Sequence, residues 1–307
     1  MTQEAKGQEI PWAEKITIVD VTARDGLQDA DTFISAEQKL AFISALIEAG
    51  VRDIEVTSFM HPKWIPQLAD ADEVASRVPR IPGVTYSALI PNMRGYERAR
   101  VAKMDEVVLV VSASESHNRA NLNRSIEESL HQLAAVAVQA KRDGMRVRGA
   151  TATAFGCPFE GNVEPAAVFR IAQAYAEMGV DQVALSDSIG VGNPRQVYTL
   201  FKQVRSMLPS HISLAAHFHN RAGNAIANVF AALAAGAESF DAAVGGLGGC
   251  PYAPGAPGNI STETLVGFVE QIGFSTGISL EKLAMAHEQL MGALAHGERV
   301  TSSHSMR

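Results

Sequence analysis

The chain has 307 residues, 47% of them hydrophobic and 19% charged, with a formal net charge of −7. That composition suits a folded domain with a real apolar core and argues against a disordered or fibrous chain. The acidic balance speaks against nucleic acid as the main partner, and no stretch approaches the ~18 uninterrupted apolar residues of a membrane span.

In chain order, residues 1–14 have no apolar signal core and read as a polar leader. Residues 15–307 read as one domain. Its β-rich runs are "ITIVDVTARD", "RDIEVTSF", "VTYSALIP", "EVVLVVSAS", "RVRGATATAF", "DQVALSDSIG", "ISLAAHFHN" and "SFDAAVGGLG", beginning near residues 16, 52, 84, 106, 146, 181, 212 and 239. Amphipathic segments lie between them, including "SAEQKLAFISALIEAG", "SIEESLHQLAAVAVQAKRDG", "EPAAVFRIAQAYAEMG" and "AGNAIANVFAALAAG". Several end in Gly, as helix C-termini often do, and Ser35 with Gln38 has the spacing of a capping box. Alternating strands and helices predict an α/β fold with a parallel sheet. Eight such units predict a closed (β/α)8 TIM barrel. A doubly wound open sheet usually uses fewer strands, and no Gly-x-Gly-x-x-Gly follows the first run. "SLEKLAMAHEQLMGALAH" reads as an extra C-terminal helix. The only cysteines, Cys157 and Cys250, offer neither a disulfide framework nor zinc-ribbon spacing, and suit a reducing cytoplasm.

Barrel chemistry sits at the C-terminal ends of the strands. Polar residues collect there: Arg24 and Asp25, Glu55, Asp187, then His217, His219 and Asn220. Charges inside a buried strand are costly unless neutralised. His217 and His219, two apart on an extended chain, share a face and are the leading metal ligands over a plain core role. Asp25 is the third candidate. Its alternative is an ion pair with Arg24, which strand alternation would place on the opposite face. Asn259, in a Gly-rich stretch, is either a fourth ligand or a turn residue. This mixed N/O set without thiolate suits Mg²⁺ or Mn²⁺, with Zn²⁺ also possible. "GGLGGCPYAPGAPG" reads either as a surface loop or as a mobile lid carrying Cys250. Cys157 stays open between a packed residue and a reactive one.

Together, "ARDGLQ", "IEVTSF", "HPKWIPQLAD", "VRGATATAFGCPFEG", "LSDSIGVG", "AAHFHN" and "GLGGCPYAPGAPGNISTE" resemble the 3-hydroxy-3-methylglutaryl-CoA lyase family of the DRE-TIM metallolyases, over residues 15–296. The resemblance implies a TIM barrel, a divalent cation, and cleavage of a 3-hydroxyacyl-CoA into a 3-oxo acid and acetyl-CoA. It implies Asp25, His217, His219 and Asn259 as ligands, with Arg24, Glu55, Asp187, His217 and Cys250 around the reacting carbons. In that scheme Arg24 stabilises the enolate oxygen, Cys250 protonates the enolate, and Asp187 or His217 acts on the base side. Glu55 orients Arg24 or a water.

Three positions depart from the family pattern: Ala150 for a usual Tyr, Ala184 for Ser, and Asn220 for Asp. The first two remove hydroxyls and leave other acyl groups open, such as citramalyl-CoA or an isohexenylglutaryl-CoA. A condensing synthase of the isopropylmalate or citramalate type, and a barrel that binds without catalysis, are the competing readings. For the acyl-CoA, Gln28, Asn118, Arg119 and Asn121 are candidate contacts, although "SASESHNRANLNRS" also reads as a solvated loop. Apolar helix surfaces allow a homodimer.

Overall fold

The computed structural model describes residues 15–249 and 258–299. The expected leader and Cys250 therefore lie outside the described residues. Eight parallel strands close into a barrel: β1 Thr17–Asp20, β2 Asp53–Ser58, β3 Thr85–Ile90, β4 Glu106–Ser112, β5 Arg146–Ala152, β6 Gln182–Asp187, β7 Ser213–Phe218 and β8 Ser239–Ala242. Each falls within one of the eight predicted runs, and β8 pairs back with β1. The helices are α1 Ala36–Ala49, α2 Ala71–Arg77, α3 Met93–Val101, α4 Glu115–Leu122, α5 Ile126–Arg142, α6 Pro165–Glu177, α7 Pro194–Met207, α8 Ala225–Ala234, α9 Thr262–Gln271 and α10 Leu280–His296. Among the described residues no helix is long and apolar enough to cross a membrane.

Local chemistry explains the helix ends. Ser35 and Gln38 form the predicted capping box of α1, and Gly50 closes it in a left-handed conformation. Ser125 and Glu128 build a second box at α5. The main apolar core lies between the strands and the helix ring. At Gly149 the ring of Tyr175 on α6 comes so close that a Cβ would stand 2.5 Å from it. The extra helix α10 packs against α1, as expected. After it, Glu298–Arg299 pairs antiparallel with Thr32–Phe33, a tie not visible in the sequence pattern.

Parallel pairing keeps the pleat in register, so partners across strands share a face. One row runs Val110, Ala150, Ala184, Ala215 across β4 to β7. A second joins Ser186, His217 and Asp241. His217 is two residues past Ala215, so its row stands ~7 Å nearer the C-terminal mouth. At the opposite end, Asp53, Glu106, Arg146, Gln182, Ser213 and Ser239 line a polar cavity of about 110 Å³.

Candidate active site

Arg24 and Asp25 do not end a strand. β1 stops at Asp20, and Thr22–Gly26 form one π-helical turn. The fully buried Asp20 anchors it, accepting from the Thr22 amide at 3.0 Å and the Thr262 hydroxyl at 2.8 Å. The Thr22 hydroxyl in turn accepts from the Val244 amide at 2.7 Å. In a helical turn, neighbours do not alternate between two faces. The turn therefore does not part them as a strand would, and an Arg24 guanidinium N–H donates to Asp25 Oδ1. Arg24 also meets Glu55 on β2, with Nε 3.0 Å from Oε1 and a second N–H donating to Oε2 at 3.1 Å. The β2–β3 register slips between Glu55 and Thr57, a bulge beside this carboxylate.

The ion pair does not exclude Asp25 from metal duty. Its Oδ2 lies 3.9 Å from His217 Nε2 and 3.7 Å from His219 Nε2. Donor atoms of these three buried residues all fall within 4.8 Å of one another. Burial opposes charge on Asp25, but Arg24 and the two imidazoles outweigh it and hold the carboxyl well below its usual range.

Asn259 reaches the same place because the chain folds back along β7. The Asn220 amide donates to Gly258 O at 2.9 Å, and the Ile260 amide to Phe218 O at 3.0 Å. Asn259 bridges antiparallel to His219. Its amide nitrogen donates to Asp25 Oδ2 at 2.7 Å and Leu247 O at 2.9 Å. Its Oδ1 is buried with no hydrogen-bond partner among the described residues. A buried acceptor without a donor is rare. Beside a carboxylate and two imidazoles it fits a divalent cation. Two glycines permit this approach. A Cβ on Gly248, at φ +112°, would lie 2.5 Å from Asn259 Nδ2, and one on Gly258 would lie 2.0 Å from Gly246 O.

Sequence reasoning missed the group behind His217. Asp241 on β8 lies 3.2 Å from His217 Nδ1 and accepts from Arg148 on β5 at 2.8 and 2.9 Å. All three are buried. With Nδ1 held by Asp241, His217 turns Nε2 toward Asp25, the arrangement a metal-ligating imidazole needs. Burial disfavours its charged form, but Asp241 and Asp25 outweigh that and raise its pKa. The signal was available: Arg148 and Asp241 are charges inside predicted barrel strands, where only a partner makes them tolerable.

Asp187, fully buried at the end of β6, accepts from the amides of Val191 at 3.0 Å and Gly192 at 2.8 Å. Burial still raises its pKa. Asp29 was also missed. Its Oδ2 is buried without a partner among the described residues and faces Gly249, while burial and the Asp25 charge push the carboxyl up to about 7. The expected CoA contacts do not behave as one group. Asn118 is fully buried and spent internally, accepting from the Ser112 amide and donating to Arg124 O and Ser129 Oγ. It is a structural residue, not an exposed phosphate ligand. Arg119 is exposed and pairs with Glu115 at 2.8 Å. Asn121 and Gln28 are half-buried. Cys157 is buried and donates to Ser114 Oγ, the behaviour of a packed residue. Of the two alanine departures, Ala184 is fully buried, and only Ala150 keeps exposure.

A family model described as HMGL-like matches residues 15–290. The hydroxymethylglutaryl-CoA lyase YngG of Bacillus subtilis is 44% identical over 277 residues, covering 90% of this chain and 92% of the relative. The human mitochondrial hydroxymethylglutaryl-CoA lyase is 41% identical, covering 94% and 88%. Among solved structures, the Bacillus subtilis HMG-CoA lyase aligns with a TM-score of 0.89 at 42% identity, covering 95% of this chain and 97% of its own. An HMG-CoA lyase from Acinetobacter baumannii, in complex with coenzyme A and 3-methylmalate, aligns with a TM-score of 0.87 at 39% identity, covering 95% of both chains.

Proposed function

The chain belongs to the HMGL-like family of carbon–carbon lyases, and we propose that it cleaves 3-hydroxy-3-methylglutaryl-CoA to acetoacetate and acetyl-CoA with Mg²⁺ or Mn²⁺. The observation that carries this reading is the donor set of Asp25, His217 and His219, with the partnerless Asn259 Oδ1 beside it and Arg24 alongside. These curated relatives are lyases, which favours cleavage over condensation. A divalent cation there supplies charge that lowers the pKa of a bound hydroxyl and fixes substrate oxygens.

The remaining work falls to side chains. Asp241, braced by Arg148, holds His217 Nδ1 and keeps Nε2 turned to the reacting face. A base takes the C3 hydroxyl proton; Asp187 is the candidate, since both ring nitrogens of His217 are engaged, Nδ1 by Asp241 and Nε2 toward Asp25. The C3 oxygen becomes a carbonyl, the C2–C3 bond breaks, and its electron pair passes into the acetyl-CoA enolate. Arg24, held by Glu55, keeps donors near that enolate oxygen and stabilises the developing charge. Cys250 then delivers a proton to the enolate carbon.

The test is acetyl-CoA and acetoacetate release from hydroxymethylglutaryl-CoA by chelator-treated protein, before and after Mn²⁺ or Mg²⁺ is restored. Activity should vanish without the cation and return with it. Equal rates in excess chelator would overturn the reading.

A further inference from the structure

The floor of the barrel is as polar as its mouth. Arg148 and Asp241 pair across the interior, so both point inward. Arg146 and Ser239, two residues before them, share that inner face. Gln182 is the register partner of Arg148, and Ser213 is that of Gln182. Glu106 pairs with Arg146, and Thr17 with Ser239. Asp53 pairs with Val19, two residues past Thr17, and Thr85 pairs with Asp53. Each of the eight strands thus begins its inner face with a polar side chain, and together these line the cavity of about 110 Å³.

That space is several times the ~10–15 Å³ that one water needs, and the groups around it leave negative charge unanswered. Asp53 and Glu106 bring two carboxyls into the barrel, and Glu238 adds an exposed third at the rim. Arg146 Nε lies 3.3 Å from Glu106 Oε2, but its side chain is exposed. Lys15, which acts on Asp53 from outside, is exposed as well. Arg148, buried above them, is committed to Asp241. Burial accordingly raises the pKa of both Asp53 and Glu106. Ser239 Oγ points into this space and is buried with no hydrogen-bond partner among the described residues. Gln182 binds Ser213 Oγ through its amide N–H at 3.0 Å, which keeps the oxygens of that pair in the cavity wall.

Oxygen donors without imidazole or thiolate suit a hard cation. Two interior carboxylates, one already shared with an arginine, are few for a divalent ion, and Mg²⁺ gives up water reluctantly. Neutral oxygens replace the looser hydration shell of a large monovalent ion more readily. We propose that the barrel floor binds a monovalent cation of potassium size, held by Glu106, Asp53 and Ser239 Oγ directly or through water. Its occupancy stabilises the folded barrel and takes no part in the chemistry at the mouth.

The test uses the full chain loaded with stoichiometric Mn²⁺, at pH 8, where Glu106, pushed up to about 7, is mainly ionised. Urea unfolding is compared in KCl and in tetramethylammonium chloride of equal strength. With about 0.2 M K⁺ and a Kd of about 20 mM, linkage lowers the unfolding constant about tenfold. Tetramethylammonium, whose charge is sheathed in methyl groups, should leave it unchanged. Ser239→Ala and Glu106→Gln should each fold and lose most of the potassium effect, while Mn²⁺ affinity stays the same in both salts. In crystals soaked with Tl⁺, a heavy stand-in for K⁺, an anomalous peak should lie in the floor cavity beside Ser239. Equal unfolding constants in the two salts overturn the proposal. So does a potassium effect undiminished in both variants, which would place the ion elsewhere, and so does a floor that holds water alone in the Tl⁺ crystals. None of these outcomes touches the lyase reading, which rests on the mouth.

Discussion

Asp241 sits at the junction of two energetic roles that a single substitution confuses. Its carboxylate fixes the His217 ring and also neutralises the buried Arg148. Asp241→Asn should weaken Mn²⁺ binding about 10- to 100-fold, because the imidazole loses its orienting partner. It should also destabilise the fold by about 3 kcal/mol, because a buried guanidinium is left unpaired. Pairing it with Arg148→Met separates the two effects. The double variant should regain much of the lost stability in urea titrations but not the Mn²⁺ affinity read by electron paramagnetic resonance. Recovery of both together would mean that Asp241 acts on the fold alone. At this scale the sequence was partly legible. His217, His219 and Asp25 stand out as polar residues at strand ends, and the structure brings them within reach of one ion. Asp241 and Arg148 are visible as charges inside strand runs, but nothing in the sequence joins them, because their relation spans 93 positions of chain.

The elements that carry the site differ in how far pattern reveals them. Parallel barrel strands are buried on both faces and read as near-continuous apolar runs, so all eight could be found. The π-turn at Thr22–Gly26 leaves no such trace, and its neighbours bond where a strand would have parted them. The fold-back of Gly258–Ile260 along β7 is equally silent, since backbone bonds to Phe218 and Asn220 make it. Glycine is the one visible clue. Gly248 holds a positive φ against the Asn259 amide, so Gly248→Ala brings backbone strain and a 2.5 Å clash at once. The variant should keep the wild-type far-UV circular dichroism and lose most Mn²⁺ affinity and turnover. Unchanged Mn²⁺ affinity would show that Asn259 can move without cost, and would remove it from the ligand set.

Across the whole molecule, the barrel separates the mouth that carries the candidate site from a polar floor at the other end of the strands. Glu106 lies in the floor cavity, 3.3 Å from the exposed Arg146, and is itself buried. Burial pushes its carboxyl up to about 7 from 4.5, with Arg146 and Arg148 opposing only in part. A carboxyl raised on folding is held protonated more tightly by the native state than by the unfolded chain. Its contribution to stability is therefore fullest below the unfolded value near 4.5 and declines as pH rises toward about 7. Removing the titration with Glu106→Gln should leave stability close to wild type at pH 4.5. At pH 8 the variant should be the more stable of the two, by on the order of 2–3 kcal/mol. Urea unfolding midpoints of both proteins at the two pH values measure this directly. A variant that is less stable than wild type at pH 8 would show that the Glu106–Arg146 pair outweighs the cost of burying the charge. Because Glu106 lies at the far end of the strands from His217, Mn²⁺ binding should not follow the change.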